Sequence, residues 1–263
     1  MRKLFGLSIF FVLTCAFGAI GQTTIKEAKE ALTKGVNAGL NNDFNSAMIY
    51  FTKAIELDPV YAAAYYNRGI GYSNLKKYPE AIVDFTKAIQ LDPKDFKSYY
   101  NRGFVFAGLK KYPEAIVDYT KAIEIDPKFM LAYINRGDAY GDLKKYFDAI
   151  ADYTKAIELD PKNSAGYNNR GFVYVQLKEY AEAIADFNKA IELDPKDALA
   201  YINRGFTYFN IKKYPEAIVD YTKAIELDPK DFKPYYNRGL AYKALGKTKE
   251  AEADFSKAKE LGE

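Results

Sequence analysis

Apolar positions in this chain fall into short blocks with helical spacing. Tyr65, Gly69 and Tyr72 recur at i, i+4 and i+7, one face of an α-helix. A few residues on, Ala81, Ile82, Phe85, Ala88 and Ile89 form a second, wider stripe. The two blocks predict a pair of amphipathic helices joined by a short turn. Glu80, Asp84 and Lys87 fall off the stripe and are expected on a solvated face. In the next copy the first helix is predicted from Phe96 to Leu109 and the second from Pro113 to Ile125.

Local chemistry marks the boundaries. Asp95, Asn163, Asp197 and Asp231 stand where an N-cap is needed. Pro79, Pro113 and Pro215 open second helices, where a missing N–H costs nothing. The Pro of a recurring Asp-Pro then stops the second helix, because the residue before Pro avoids the α region. That Asp recurs at Asp58, Asp92, Asp126, Asp160, Asp194 and Asp228, always 34 residues apart. Asn-Arg-Gly keeps the same register, from Asn67-Arg68-Gly69 to Asn237-Arg238-Gly239.

The period predicts an all-α solenoid of about seven repeats, approximately 26–59, 60–93, 94–127, 128–161, 162–195, 196–229 and 230–263. The first copy carries Ala31, Thr33 and Gly35 and lacks Asn-Arg-Gly. In the last copy Glu252 and Lys259 stand where one repeat earlier has Ile218 and Ile225. Charged residues there are expected to solvate the open end, so the array is read as complete.

An aromatic, Gly, aromatic, Ala, aromatic, Ala, Pro series runs through Tyr99, Gly103, Phe106, Ala115, Tyr119, Ala122 and Pro127. In a 34-residue helix-turn-helix this series resembles the tetratricopeptide repeat. The resemblance covers residue 26 to the end. It implies antiparallel helix pairs stacked into a right-handed superhelix, with the first helices lining a concave groove. Some members grip a carboxylate with a Lys-Asn-Arg clamp, but here the clamp's Arg position holds Asn throughout, which speaks against that mode.

With Asn67 as origin, Tyr65, Gly69 and Tyr72 lie at about 160°, 200° and 140° around the helix. Asn67 therefore faces away from its partner helix, as do Asn101, Asn135, Asn169, Asn203 and Asn237. A carboxamide can match a peptide bond's N–H and C=O, and such a ladder resembles those that hold extended peptides by their backbone. The alternative is bonding between neighbouring repeats. Arg68 and its equivalents are read as stems packed between repeats and paired with an acidic neighbour, the alternative being an anion-binding row. The glycines allow close helix approach.

Variable groove positions would set specificity. Before the Asn come Tyr66, Tyr100, Ile134, Asn168, Ile202 and Tyr236; after the Gly come Ile70, Phe104, Asp138, Phe172, Phe206 and Leu240. Tyr66, Tyr100, Tyr236, Phe104, Phe172 and Phe206 are the candidate peptide contacts. Asp138 and Asp142, at i and i+4, form an acidic spot expected to take a Lys or Arg of the ligand.

Composition narrows the chemistry. There is no His, and one Cys, Cys15. The usual general base, the commonest metal ligand and every His-dependent nucleophile are thereby removed, so no catalytic residue, metal or cofactor is expected. A net charge of +3 without a basic stripe gives no case for nucleic acid. Residues 1–21 read as a signal peptide: basic Arg2 and Lys3, an apolar run from Leu4 to Phe17, and a cut after Gly21. The run is short for a ~30 Å hydrocarbon core, and Thr14 ahead of Cys15 speaks against a lipoprotein. The expectation is an exported, periplasmic or secreted, non-enzymatic monomer. It would bind a protein or peptide partner in its groove and keep no stable membrane insertion after cleavage. The alternative is a structural subunit of an envelope or secretion assembly.

Overall fold

The computed structural model describes residues 6–262, with side chains from residue 23 onward. The described residues hold fourteen helices and no strand. The chain divides into two compact units, Met1–Pro127 and Lys128–Glu263. The first contains α1 (Gly6–Leu40), α2 (Phe44–Leu57), α3 (Ala62–Asn74), α4 (Tyr78–Leu91), α5 (Phe96–Gly108) and α6 (Tyr112–Ile125). The second contains α7 (Met130–Asp142), α8 (Tyr146–Leu159), α9 (Ser164–Gln176), α10 (Tyr180–Leu193), α11 (Ala198–Asn210), α12 (Tyr214–Leu227), α13 (Phe232–Ala244) and α14 (Thr248–Leu261).

Each odd-numbered helix packs on the even-numbered helix after it, and each pair packs on the next within its unit. Inside both units consecutive odd-numbered helices also touch, α1 with α3 and α9 with α11 among them, whereas consecutive even-numbered helices do not. The odd-numbered helices therefore line the inner side of each unit. α1 is longer than the first repeat predicts, because no proline interrupts the chain between Gly6 and Leu40. The leader assigned to residues 1–21 lies outside the residues whose side chains are described.

The helix ends fall within a residue of expectation, for local reasons. Asp95 accepts from the Lys97 and Ser98 amides, Asn163 from Gly166, Asp197 from Leu199 and Asp231 from Lys233. Tyr61 and Phe129 occupy the same position without a side-chain cap. The Asp of Asp-Pro does more than precede a helix stop. Its Oδ1 accepts the amide two residues on, at Val60, Lys94, Lys162, Lys196 and Lys230. This Asx turn starts the connection to the next pair.

The turn inside each pair is a helix end in the left-handed region. Lys76, Lys110, Lys144, Lys178 and Lys212 have φ between 58° and 63°. Around Lys110, the Lys111 amide donates to the Phe106 carbonyl at 2.8 Å, the long bond of a Schellman ending. The invariant glycines do what their position on the buried face implies. A Cβ on Gly103 would lie 3.0 Å from the Tyr119 ring and 3.2 Å from the Asp118 Cβ. The rings opposite them, Phe85, Tyr119, Phe187 and Tyr221, are the largest fully buried side chains.

Two substitutions test this account by urea denaturation. Gly103→Ala is expected to lower stability by about 1–3 kcal/mol through overpacking. Lys110→Gly is expected to raise it by about 0.5–1 kcal/mol, because glycine takes the left-handed conformation without the Cβ penalty.

Candidate functional site

The arginine of each Asn-Arg-Gly belongs to the fold. Arg68 on α3 donates through its forked face to both Asp84 oxygens on α4, at 2.7 and 2.9 Å, and through its third nitrogen to Thr52 Oγ1 on α2. Arg102 repeats this with Asp118 and Thr86, Arg170 with Asp186 and Thr154, and Arg238 with Asp254 and Thr222. Arg204 holds Asp220 and uses Asn188 where the others use Thr, and Arg136 holds Asp152. Tyrosine rings frame the guanidinium, those of Tyr65 and Tyr72 at 5.7 and 5.9 Å from Arg68. Pairing with an acidic neighbour holds as expected. The placement of Asp84 on a solvated face does not: it is 3% exposed. A second helix is covered both by its own partner and by the next repeat, so its buried sector is wider than one contact would make it.

The asparagines are partly spent on the fold as well. Asn101 on α5 donates to the Tyr66 hydroxyl of the preceding repeat at 3.1 Å and to the Lys97 carbonyl at 2.9 Å. Asn169 on α9 donates to Asp138 on α7 at 3.2 Å, and Asn203 on α11 to Asn168 on α9 at 3.1 Å. Asn67 donates to the Ala63 carbonyl of its own turn. Bonding between repeats is thus present at three rungs. In all four residues the amide nitrogen points into the protein, and the carbonyl oxygen accepts no bond from the described residues. Asn135 and Asn237 are half-buried on the same face of α7 and α13.

In the first unit Tyr66 and Tyr100 are half-buried. The Tyr66 ring centroid lies 6.1 Å from that of Phe85, and the Tyr100 centroid 5.8 Å from that of Tyr119. Phe104 is exposed on α5. A cavity of about 280 Å³ opens against Val36, Leu40, Phe44, Asn67 and Ile70.

The second unit gathers more of the predicted residues. A cleft of about 590 Å³ is lined by Asp138, Asp142, Asn169, Phe172 and Asn203, with Asn168, Val173, Gln176 and Leu199. α7, α9 and α11 supply these residues, and Tyr153 on α8 reaches the same cleft. Phe172 is 48% exposed. Phe206 is exposed on α11, and Tyr236 on α13 packs one side of its ring on Phe255. Tyr153 donates to Asp138 Oδ1 at 2.6 Å. Asp138 is exposed as a residue, yet the helices packed around its carboxyl keep water from part of it and lift it above the usual carboxylate range, against the pull of the Tyr153 and Asn169 hydrogen bonds, and Asp142 pushes the same way. Leu199, Val173 and Gln176 had not stood out in the sequence. The signal that could have found the cleft is Asn168, a short side chain where other copies carry Tyr or Ile. Among the described residues no three metal-ligating side chains cluster, and no helix is long and apolar enough to cross a membrane.

Family models for the tetratricopeptide repeat match residues 32–61, 62–95, 96–129, 118–151 and 232–262, and TPR repeat models match 137–178, 173–212 and 208–246. An uncharacterized protein of Methanocaldococcus jannaschii is 41% identical over 56 residues, 21% of this chain. The chain spans 65% of that relative's length. A tetratricopeptide repeat protein from Parabacteroides merdae superposes with a TM-score of 0.73 at 24% identity, over 90% of this chain and 94% of that one. YrrB, described as a TPR protein with an unusual peptide-binding site, superposes with a TM-score of 0.59 at 26% identity, over 70% of this chain and 95% of its own.

Two carboxylates should respond oppositely to removal of their charge. Asp118→Ala strands the Arg102 guanidinium, which is 18% exposed, and is expected to cost about 3 kcal/mol. Asp138→Asn keeps an oxygen for Tyr153 and Asn169 and removes a crowded charge, so its melting temperature at neutral pH should rise. Thermal melts of both variants check the signs.

Proposed function

The chain belongs to the tetratricopeptide repeat family, and we propose that it is a non-catalytic scaffold holding an extended segment of a protein partner. The groove in question is the odd-helix face of the unit Lys128–Glu263. One observation carries the proposal: the cleft there joins an exposed aromatic, Phe172, to asparagine oxygens with no protein donor. An extended backbone offers an N–H to such an oxygen, and adjacent helices about 10 Å apart match about three residues of a strand rising 3.3 Å each. The description of YrrB as a protein with a peptide-binding site supports the same reading.

A second reading, a structural subunit that makes its contacts on the even-numbered helices, draws on a different feature. Ile49, Val83 and Val117 form an exposed row at 34-residue intervals in the first unit, Val83 being 67% exposed. The leader pattern of residues 1–21 supports export to the periplasm or beyond under either reading.

Dodecapeptides selected from a random display library provide the test. Replacing Asn169 and Asn203 together by Ala should weaken the selected peptides about tenfold or more, at ~1 kcal/mol per lost hydrogen bond. Unchanged affinity in a variant that keeps its helical circular dichroism would remove the groove from consideration. For export, intact-mass analysis of protein recovered outside the cytoplasm should find Gln22 as its first residue, and a retained Met1 would refute cleavage.

A further inference from the structure

Six carboxylates inside the helix pairs, at Asp84, Asp118, Asp152, Asp186, Asp220 and Asp254, are each met by a forked arginine. Asp138 is different. It stands on α7 where the other copies place Ile70, Phe104, Phe172, Phe206 and Leu240. Tyr153 and Asn169 both donate to its Oδ1, which pins the group at the cleft wall. No cation among the described residues pairs with it. Asp142, one turn on, adds charge of the same sign, and Lys144 lines the rim without pairing with either. Asp138 is exposed and so open to a ligand in the cleft, while partial loss of water around its carboxyl, with Asp142 beside it, lifts that group above its ordinary range.

A second feature of the cleft is independent of charge. Asn168 is 5% exposed. Its oxygen accepts from Asn203, its own amide nitrogen makes no hydrogen bond among the described residues, and the residue lines the cleft. Tyr or Ile at this position would fill part of the space, so the short side chain both opens the cleft and places a donor in it. Phe172, Val173 and Leu199 supply an apolar wall beside these polar groups.

We infer that the cleft selects an extended peptide segment carrying a lysine or arginine for Asp138 and Asp142 and an aliphatic or aromatic side chain for the Phe172–Leu199 wall. The inference rests on the groove reading and deepens it. The basic group supplies the cation that the pinned carboxylate lacks. The Asn168 amide donates to a ligand carbonyl, and the Asn169 oxygen accepts a ligand N–H. With helices about 10 Å apart and a rise of 3.3 Å per residue, the two side chains stand about two to four residues apart.

The test is selection of a random dodecapeptide display library on the purified chain, on Asp138→Asn/Asp142→Asn, and on Phe172→Asp. The native chain should enrich peptides with a basic residue about two to four positions from a large apolar one. The double variant should lose the basic preference and bind a selected lysine peptide about tenfold or more weakly. Because the carboxamide introduced by Asp138→Asn still offers an oxygen to Tyr153 and Asn169, unaltered circular dichroism is expected alongside. Enrichment without a basic residue, or a basic preference untouched in the double variant, overturns this inference and leaves the groove reading standing if Phe172→Asp abolishes binding. Failure of the native chain to enrich any peptide over Phe172→Asp overturns both.

Discussion

A forked pair between an arginine on one helix and an aspartate on the next holds six of the repeats together. It joins the two helices of a repeat, and through the arginine's third nitrogen it reaches a Thr or Asn on the second helix of the repeat before. A planar guanidinium matches a carboxylate in one geometry only, so the pair fixes helix rotation as well as proximity. Burying two charges is costly unless every hydrogen bond is made. The tyrosine rings on either side and the glycine one residue on belong to the same device: glycine brings the backbones close, and the rings close the site around the guanidinium.

Because arginine and glycine are consumed by this device, the odd-helix face is left to other residues. Asn67, Asn101, Asn169 and Asn203 turn their nitrogens toward the protein and leave their oxygens without a protein donor. The variable positions around them differ from copy to copy at little cost to the repeat, since the forked pair holds the helices together whatever stands there. In the second unit that freedom concentrates two departures, Asp138 and Asn168, on neighbouring helices. One replaces an apolar side chain by a pinned carboxylate, and the other replaces a large side chain by a short amide. A cleft results where regular copies would give a filled surface.

Helix ends, caps and period were legible because each depends on residues within one turn of one another: Asp95 with Lys97 and Ser98, or Pro113 at the start of α6. The glycines were legible because their face follows from spacing along a single helix. Asp84 was misplaced on a solvated face because its partner, Arg68, lies sixteen residues back on another helix. Periodicity marks the stripe that one helix buries against one neighbour, and in a stacked array each second helix has several. The left-handed lysines carried no compositional mark, since Lys is an unusual residue for that conformation.

The candidate site divides along the same line. That the asparagines face away from their partner helices follows from a 100° turn per residue, and so does the shared face of Asp138 and Asp142. What those groups then touch does not follow. The Asn169 amide meets Asp138 across thirty-one residues and the Asn203 amide meets Asn168 across thirty-five, and Tyr153 reaches Asp138 from a helix of the same repeat. The repeat, its helices and the angular position of each residue around its helix could be read from the residues alone, because those are properties of one chain segment and its immediate neighbours. Which polar groups on that face are already satisfied, and where space remains, came from the packing of helices against one another, because hydrogen bonds and cavities arise between helices whose distance and rotation no single helix specifies.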